Sequence, residues 1–147
     1  MNLTDLYEKK IIDFLFGGTA FTMPSKVAFG LIKNTPPTPP LYELQPDPTD
    51  GYIEPDPALG YHRVEFDNDK TLWSTPANNG GPLFNNIEIL FPTAAGGDWG
   101  TVNYIGIFEP SGTSENLIAY GLLATPINIV TGTKLAFPPN SIQINLD

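Results

Sequence analysis

Apolar and polar positions change period once along this chain, and the change divides it. Over residues 4–16, TDLYEKKIIDFLF, apolar residues return every three or four positions, as on one stripe of a helix. Leu6, Tyr7, Ile11, Phe14 and Leu15 form the stripe. Thr4 is placed to cap it, Asp5 and Glu8 lie in the favoured first turns, and Gly17 and Gly18 supply a stop. About 13 residues of helix do not persist alone in water, so this one needs a surface to dock on.

Beyond the glycines the period is two. In KVAFGLIK, residues 26–33, Val27, Phe29 and Leu31 share one face while Ala28, Gly30 and Ile32 share the other. YHRVEF, residues 61–66, sets His62, Val64 and Phe66 opposite Tyr61, Arg63 and Glu65. TLWS, residues 71–74, is a short candidate strand, and NIEILF aligns Ile87, Ile89 and Phe91. TVNYIGIF and NLIAYGLLA are apolar on both faces, the pattern of strands buried twice. KLAF and SIQINL close the series, with Ile142, Ile144 and Leu146 on one side. Turn signals at PANNGG, AAGGD, PSGT and TGT separate these runs. About eight short strands at this spacing predict an all-β fold, an antiparallel sandwich with one short N-terminal helix. The division expected is a helix and turn over 1–18, then a single domain over 19–147.

Residues 34–60 fit neither period. They hold eight of the sixteen prolines and five acids, with no lysine or arginine. Proline gives a ladder no donor, so this is no central strand; it reads as a long surface excursion and a candidate contact loop. Tyr42, Asp47, Asp50, Tyr52, Glu54 and Asp56 are its candidate contact residues. Trp99 raises a separate question, because it stands between Gly96, Gly97 and Gly100 just before the most apolar strand. The glycines allow a sharp turn, and the expectation is that the indole plugs the end of the sandwich.

Composition then removes function classes. A length of 147 residues suits one domain with a core of its own. No cysteine is present, so there is neither a disulfide framework nor a thiolate metal site. A net charge of −9 opposes both nucleic acid and anionic membrane surfaces. No run approaches the roughly 20 apolar residues of a membrane helix, and MNLTDLYEKK does not resemble a signal peptide, so synthesis in a cytoplasm is expected.

Candidate chemistry is thin. His62 is the one histidine, which excludes a two-histidine metal site. A triad would need it beside Ser25, Ser74, Ser111, Ser114 or Ser141, none of them in a nucleophile elbow. His62 reads as a hydrogen-bonded structural residue on the face of Val64 and Phe66. The carboxylates cluster at turns, where they bond to local backbone; calcium at Asp67 and Asp69 is the alternative, although their spacing is not that of an EF-hand. Trp73 and the tyrosines suggest a sugar platform, which core packing opposes. No cofactor and no catalytic residue are expected.

Four blocks, in order, resemble a family of small tail-fibre-type proteins of tailed bacteriophages. They are the helix leading into LFGGTAFTMPSKVAFGL, then LGYHRVEF with Gly60, Tyr61 and Arg63, then NNIEILFPTAAGGDWGTVNYIGIFE, and last NLIAYGLLATPINIVTGTKLAFPPNSIQINLD. The motif positions include Phe91, Trp99, Gly100, Gly106, Phe108 and Tyr120. The likeness spans nearly the whole chain, and residues 34–60 are longer than the pattern. It implies a non-enzymatic virion structural protein, in the tail (fibre, baseplate-associated or adhesin-type) in preference to the capsid. It also implies a homo-oligomer, threefold by preference, bound to other virion proteins and able to contact a host-surface glycan or protein; the helix over 4–16, whose apolar stripe needs a partner surface, is the expected attachment or oligomerisation element. A capsid decoration protein is the alternative; a carbohydrate-binding module and a glycan depolymerase rank below it.

Overall fold

The computed structural model describes residues 1–36, 52–75, 81–110 and 117–145. Nine strands and one helix occur there: β1 (Asn2–Leu3), α1 (Asp5–Phe16), β2 (Lys26–Ile32), β3 (Val64–Asp67), β4 (Leu83–Phe84), β5 (Ile89–Thr93), β6 (Gly100–Phe108), β7 (Leu117–Ile129), β8 (Lys134–Phe137) and β9 (Gln143–Ile144). Five of them form an antiparallel sheet in the order β1-β7-β6-β2-β3. Two-stranded ribbons, β4-β9 and β5-β8, make the second layer. The fold is the predicted mostly-β one with a single helix.

The period-two reading of β2 matches its burial. Val27, Phe29 and Leu31 enter the large core between the layers, with Trp73, Ile89, Phe91, Trp99, Ile105 and Ile107. Ala28 and Ile32 face the other way, into a smaller cluster with Phe108, Leu117 and Tyr120. The sheet is therefore apolar on both faces across β2, β6 and the start of β7. Ribbons this short carry few ladder bonds, and a buried side chain, Asn85, stitches them together. Its amide nitrogen donates to Ile87 O and Pro138 O, both at 2.9 Å, and its amide oxygen accepts from Ile142 N at 2.8 Å. A buried amide so satisfied is stabilising, whereas an unpaired one would cost the fold.

Several boundaries differ from the expected ones. TLWS is not a strand: Trp73 makes one bridge, to Asn85, because Asp69 opens a turn whose carboxylate accepts from Thr71 N and whose carbonyl accepts from Trp73 N. His62 is exposed, ahead of the regular alternation that begins where β3 pairs with β2 at Val64. β7 runs past Thr125 and Pro126 to Ile129. Residues 123–126 stand opposite a single β6 residue, Asn103, so Pro126 lies where no ladder donor is required. β1, two residues long, was invisible to pattern reading; it pairs with Ala119 and Tyr120.

Trp99 is fully buried at the junction of three segments. Its indole Nε1 donates to Leu59 O at 2.8 Å, its backbone N–H donates to Ile129 O at 3.0 Å, and its ring stands edge-on to Tyr61 at 5.2 Å. Gly96 and Gly100 on either side both have φ +82°, the left-handed region where a side chain is strained. Trp99→Ala leaves a cavity in the core and removes the bond to Leu59 O, and is expected to lower unfolding free energy by about 3–5 kcal/mol in denaturant titration.

Candidate assembly surface

Two side-chain constellations lie outside the main core, one on the outer face of the large sheet and one on α1. The first begins with two glycines. Gly30 and Gly106 face one another across β2 and β6. A Cβ at either would lie 2.6 or 2.7 Å from Cε2 of Phe108, so their bareness makes the hollow in which that ring rests. Over the ring, 3.7 Å from its centroid, lies the Arg63 guanidinium.

Arg63 is held by Glu54 through two parallel bonds, Nε to Oε1 at 2.9 Å and Nη2 to Oε2 at 2.6 Å. Tyr61 Oη donates to the same Oε1 at 2.6 Å and accepts from Leu31 N at 2.8 Å, at a point on β2 beyond its pairing with β3. The Tyr52 ring stacks edge-on to Phe108 at 4.9 Å. Burial, with the Glu54 carboxylate adjoining, pushes the Tyr61 phenol far above its ordinary value.

Of the six candidate contact residues, Tyr42, Asp47 and Asp50 lie outside the described residues. Tyr52 and Glu54 are turned into this cluster. Asp56 is exposed, and its carboxylate accepts from Ala58 N at 2.9 Å to cap the 3-10 turn Pro57–Leu59. Asp67 pairs with Lys26, and Asp69 is engaged by Thr71 N–H, which holds its carboxyl below the usual range. Among the described residues no three histidine, cysteine, aspartate or glutamate side chains gather as a metal site would require. Trp73 and Trp99 are both buried, so neither presents an open ring face.

The helix is docked at one end only. Thr4 occupies the cap position, yet its hydroxyl donates to Leu117 O at 2.7 Å instead of capping the helix, because the start of β7 lies within reach. Tyr7 is buried against Phe21, and its hydroxyl donates to Glu109 Oε2 at 2.7 Å. Burial and that carboxylate raise the Tyr7 phenol well above its normal range. Lys10 lies 4.2 Å from the centre of the Tyr7 ring and 4.0 Å from the same Glu109 oxygen.

Farther along, contact with the body is lost. Ile12 is 57 % exposed, Phe14 53 %, Leu15 62 % and Phe16 85 %, and nearby in sequence Met23 is 66 % exposed. Leu6 and Ile11 are half-buried. The predicted stripe is thus split: Tyr7 serves the fold, while Phe14 and Leu15 join Ile12 and Phe16 in an apolar tip. Sequence reading passed over Ile12 and Phe16 because they lie off the stripe. The signal for them was present, since every residue of IIDFLF except Asp13 is apolar, which spreads the apolar surface beyond one stripe.

Two outcomes follow from these clusters. Glu54→Ala strands a guanidinium that is 14 % exposed and is expected to cost about 3 kcal/mol, whereas Glu54→Leu with Arg63→Met should cost less than that single change; denaturant titration of both decides it. The phenols of Tyr7 and Tyr61 are held neutral in the fold, so the stability this confers is complete below the free value of 10.0 and is lost as pH rises toward the folded values. Phenolate absorbance should therefore show Tyr7 and Tyr61 ionising only with alkaline unfolding.

No helix among the described residues is long and apolar enough to cross a membrane. No curated protein matches the chain. A family model described as podophage GP4 fiber I protein gp80 matches residues 2–145, from the first residue of β1 to the residue after β9. The chain belongs to the Gp80 family, and is thereby a phage fibre structural protein.

Proposed function

We propose that this protein is a non-enzymatic component of the phage tail that works by protein–protein assembly and is attached through the tip of α1. The family supports the virion setting. The observation that carries the attachment is the tip itself, where Ile12, Phe14, Leu15 and Phe16 are all more than half exposed on a helix whose other end is held down. Fully burying a large apolar side chain stabilises by roughly 1.5–3 kcal/mol, and each of these four keeps more than half of its surface to bury, so covering them drives docking against the cost of association. A helix laid in an apolar groove is a recurrent recognition mode.

On this reading the core carries the shape, and contact with host-surface glycan or protein belongs to the loops that the sandwich presents. The buried tryptophans support assembly over sugar stacking as the main task.

Point changes at the tip test attachment more cleanly than removing residues 1–18, which would also delete β1 and the Thr4 bonds to β7. Leu15→Glu with Phe16→Glu should leave the melting temperature within a few degrees of wild type and abolish incorporation into virions. Wild-type protein should fractionate with purified tails. Recovery with heads would favour a decoration role, and normal incorporation of the double variant would refute attachment through α1.

A further inference from the structure

Given attachment through α1, on which this rests, we infer that the helix is received by a groove on a different virion protein, apolar at one end and rimmed with lysine or arginine about 10 Å away. The free side of α1 is more than an apolar tip. Exposed positions recur along it as Asp5, Glu8, Ile12, Leu15 and Phe16, at helical spacing. Tyr7, Lys10 and Ile11, buried or half-buried, lie on the side that meets the body. One outward stripe therefore runs from two carboxylates near Thr4 to three apolar side chains near Gly17. Asp5 and Ile12 are seven positions apart, as are Glu8 and Leu15, which is about 10 Å along a helix.

Those two carboxylates have no task within the chain. Among the described residues neither Asp5 nor Glu8 makes an ion pair or a side-chain hydrogen bond, whereas Asp13 pairs with Lys9 and Glu109 engages both Tyr7 and Lys10. The helix N-terminus favours acids at these positions, but it leaves their oxygens open to a cation from outside. From Phe14 to Ser25 no side chain is charged, so the tip itself calls for no counter-ion. The charge demanded of a partner is positive and lies at the Thr4 end alone.

The same stripe disfavours two other occupants. A second copy of α1 laid parallel sets Asp5 and Glu8 against their own counterparts, and laid antiparallel sets them against the apolar tip; both arrangements are unfavourable. At a net −9 the two bodies repel as well. Helices that lie in a bilayer surface carry lysine and arginine on the polar face, where this one carries Asp5 and Glu8, and an anionic leaflet repels them. Lys9, the exposed cation of the helix, is already paired with Asp13. Opposite charge at the rim of an interface steers encounter and fixes register, so basic groups on the partner set which way the helix lies in its groove.

A phage deleted for this chain, grown in cells that supply the full chain, provides the test. Supplied together with wild type in equal amount, Asp5→Asn with Glu8→Gln should enter particles about fivefold less often, and Asp5→Lys with Glu8→Lys less often still. Rising NaCl should strip the wild-type chain from purified particles and change retention of the neutral variant little. Both positions are exposed, so the neutral variant should melt within a few degrees of wild type. Leu15→Glu with Phe16→Glu checks the underlying reading: its normal incorporation would sink attachment through α1 altogether. With that variant excluded from particles, equal incorporation of the neutral variant, or wild-type retention that ignores salt, overturns the basic groove alone. Wild-type binding to phosphatidylglycerol vesicles, or a wild-type oligomer in light scattering that the tip variant dissolves, gives the tip to a membrane or to a second copy and overturns it too.

Discussion

The stretch around Tyr52 and Glu54 is held to the outer face of the large sheet by one ring and the arginine above it. Phe108 lies in the hollow left by Gly30 and Gly106, and Arg63 lies on the ring. Glu54 fixes Arg63 and shares its oxygen with Tyr61, whose hydroxyl satisfies the Leu31 amide. Tyr61 in turn packs edge-on to Trp99 in the main core. One chain of contacts thus runs from the outer face of the sheet, past its β2 strand, into the space between the layers. Each member is desolvated and satisfied, so the loss of one would leave a costly orphan in the next. This is how the C-terminal end of the proline-rich interval is tied to the sandwich.

That anchoring bears on function because it separates rigid parts from presenting parts. Tyr52 and Glu54, although placed in a loop rich in turn residues, are used internally. The α1 tip is exposed because Thr4, Tyr7 and Lys10 hold only the first turns against β7 and Glu109; among the described residues Ile12 and Phe16 stay more than half exposed. For a structural protein of a fibre, a firmly packed body with an apolar protrusion is a coherent arrangement of apolar area relative to charge.

Much of the candidate surface was legible before any tertiary contact was known. Tyr7, Phe14 and Leu15 were on the predicted stripe, and their segment was recognisable as a helix in need of a partner. The stripe did not disclose that Tyr7 would dock while the last turn stood free, because that depends on where the end of β6 falls. Isolated glycines inside two strand patterns, Gly30 and Gly106, are a sequence signal of close approach, but not of which ring approaches. Glu54 and Asp56 read as contact carboxylates because acids in turns usually face water; the nearness of Arg63 and of the Ala58 amide gave them other partners.

By itself the sequence determined the class of fold, the single helix, and which face each residue of β2 presents, because alternation is a property of a few consecutive residues under local steric rules. It also carried the family blocks. Tertiary structure alone decided that Trp99 bonds to Leu59, that Asn85 joins segments more than fifty residues apart, that β1 is a strand at all, and that β7 continues through Pro126. In each case the deciding group is a backbone amide or carbonyl that needs a partner once water is excluded. Such groups are alike at every position, so no local pattern distinguishes the pair that will meet.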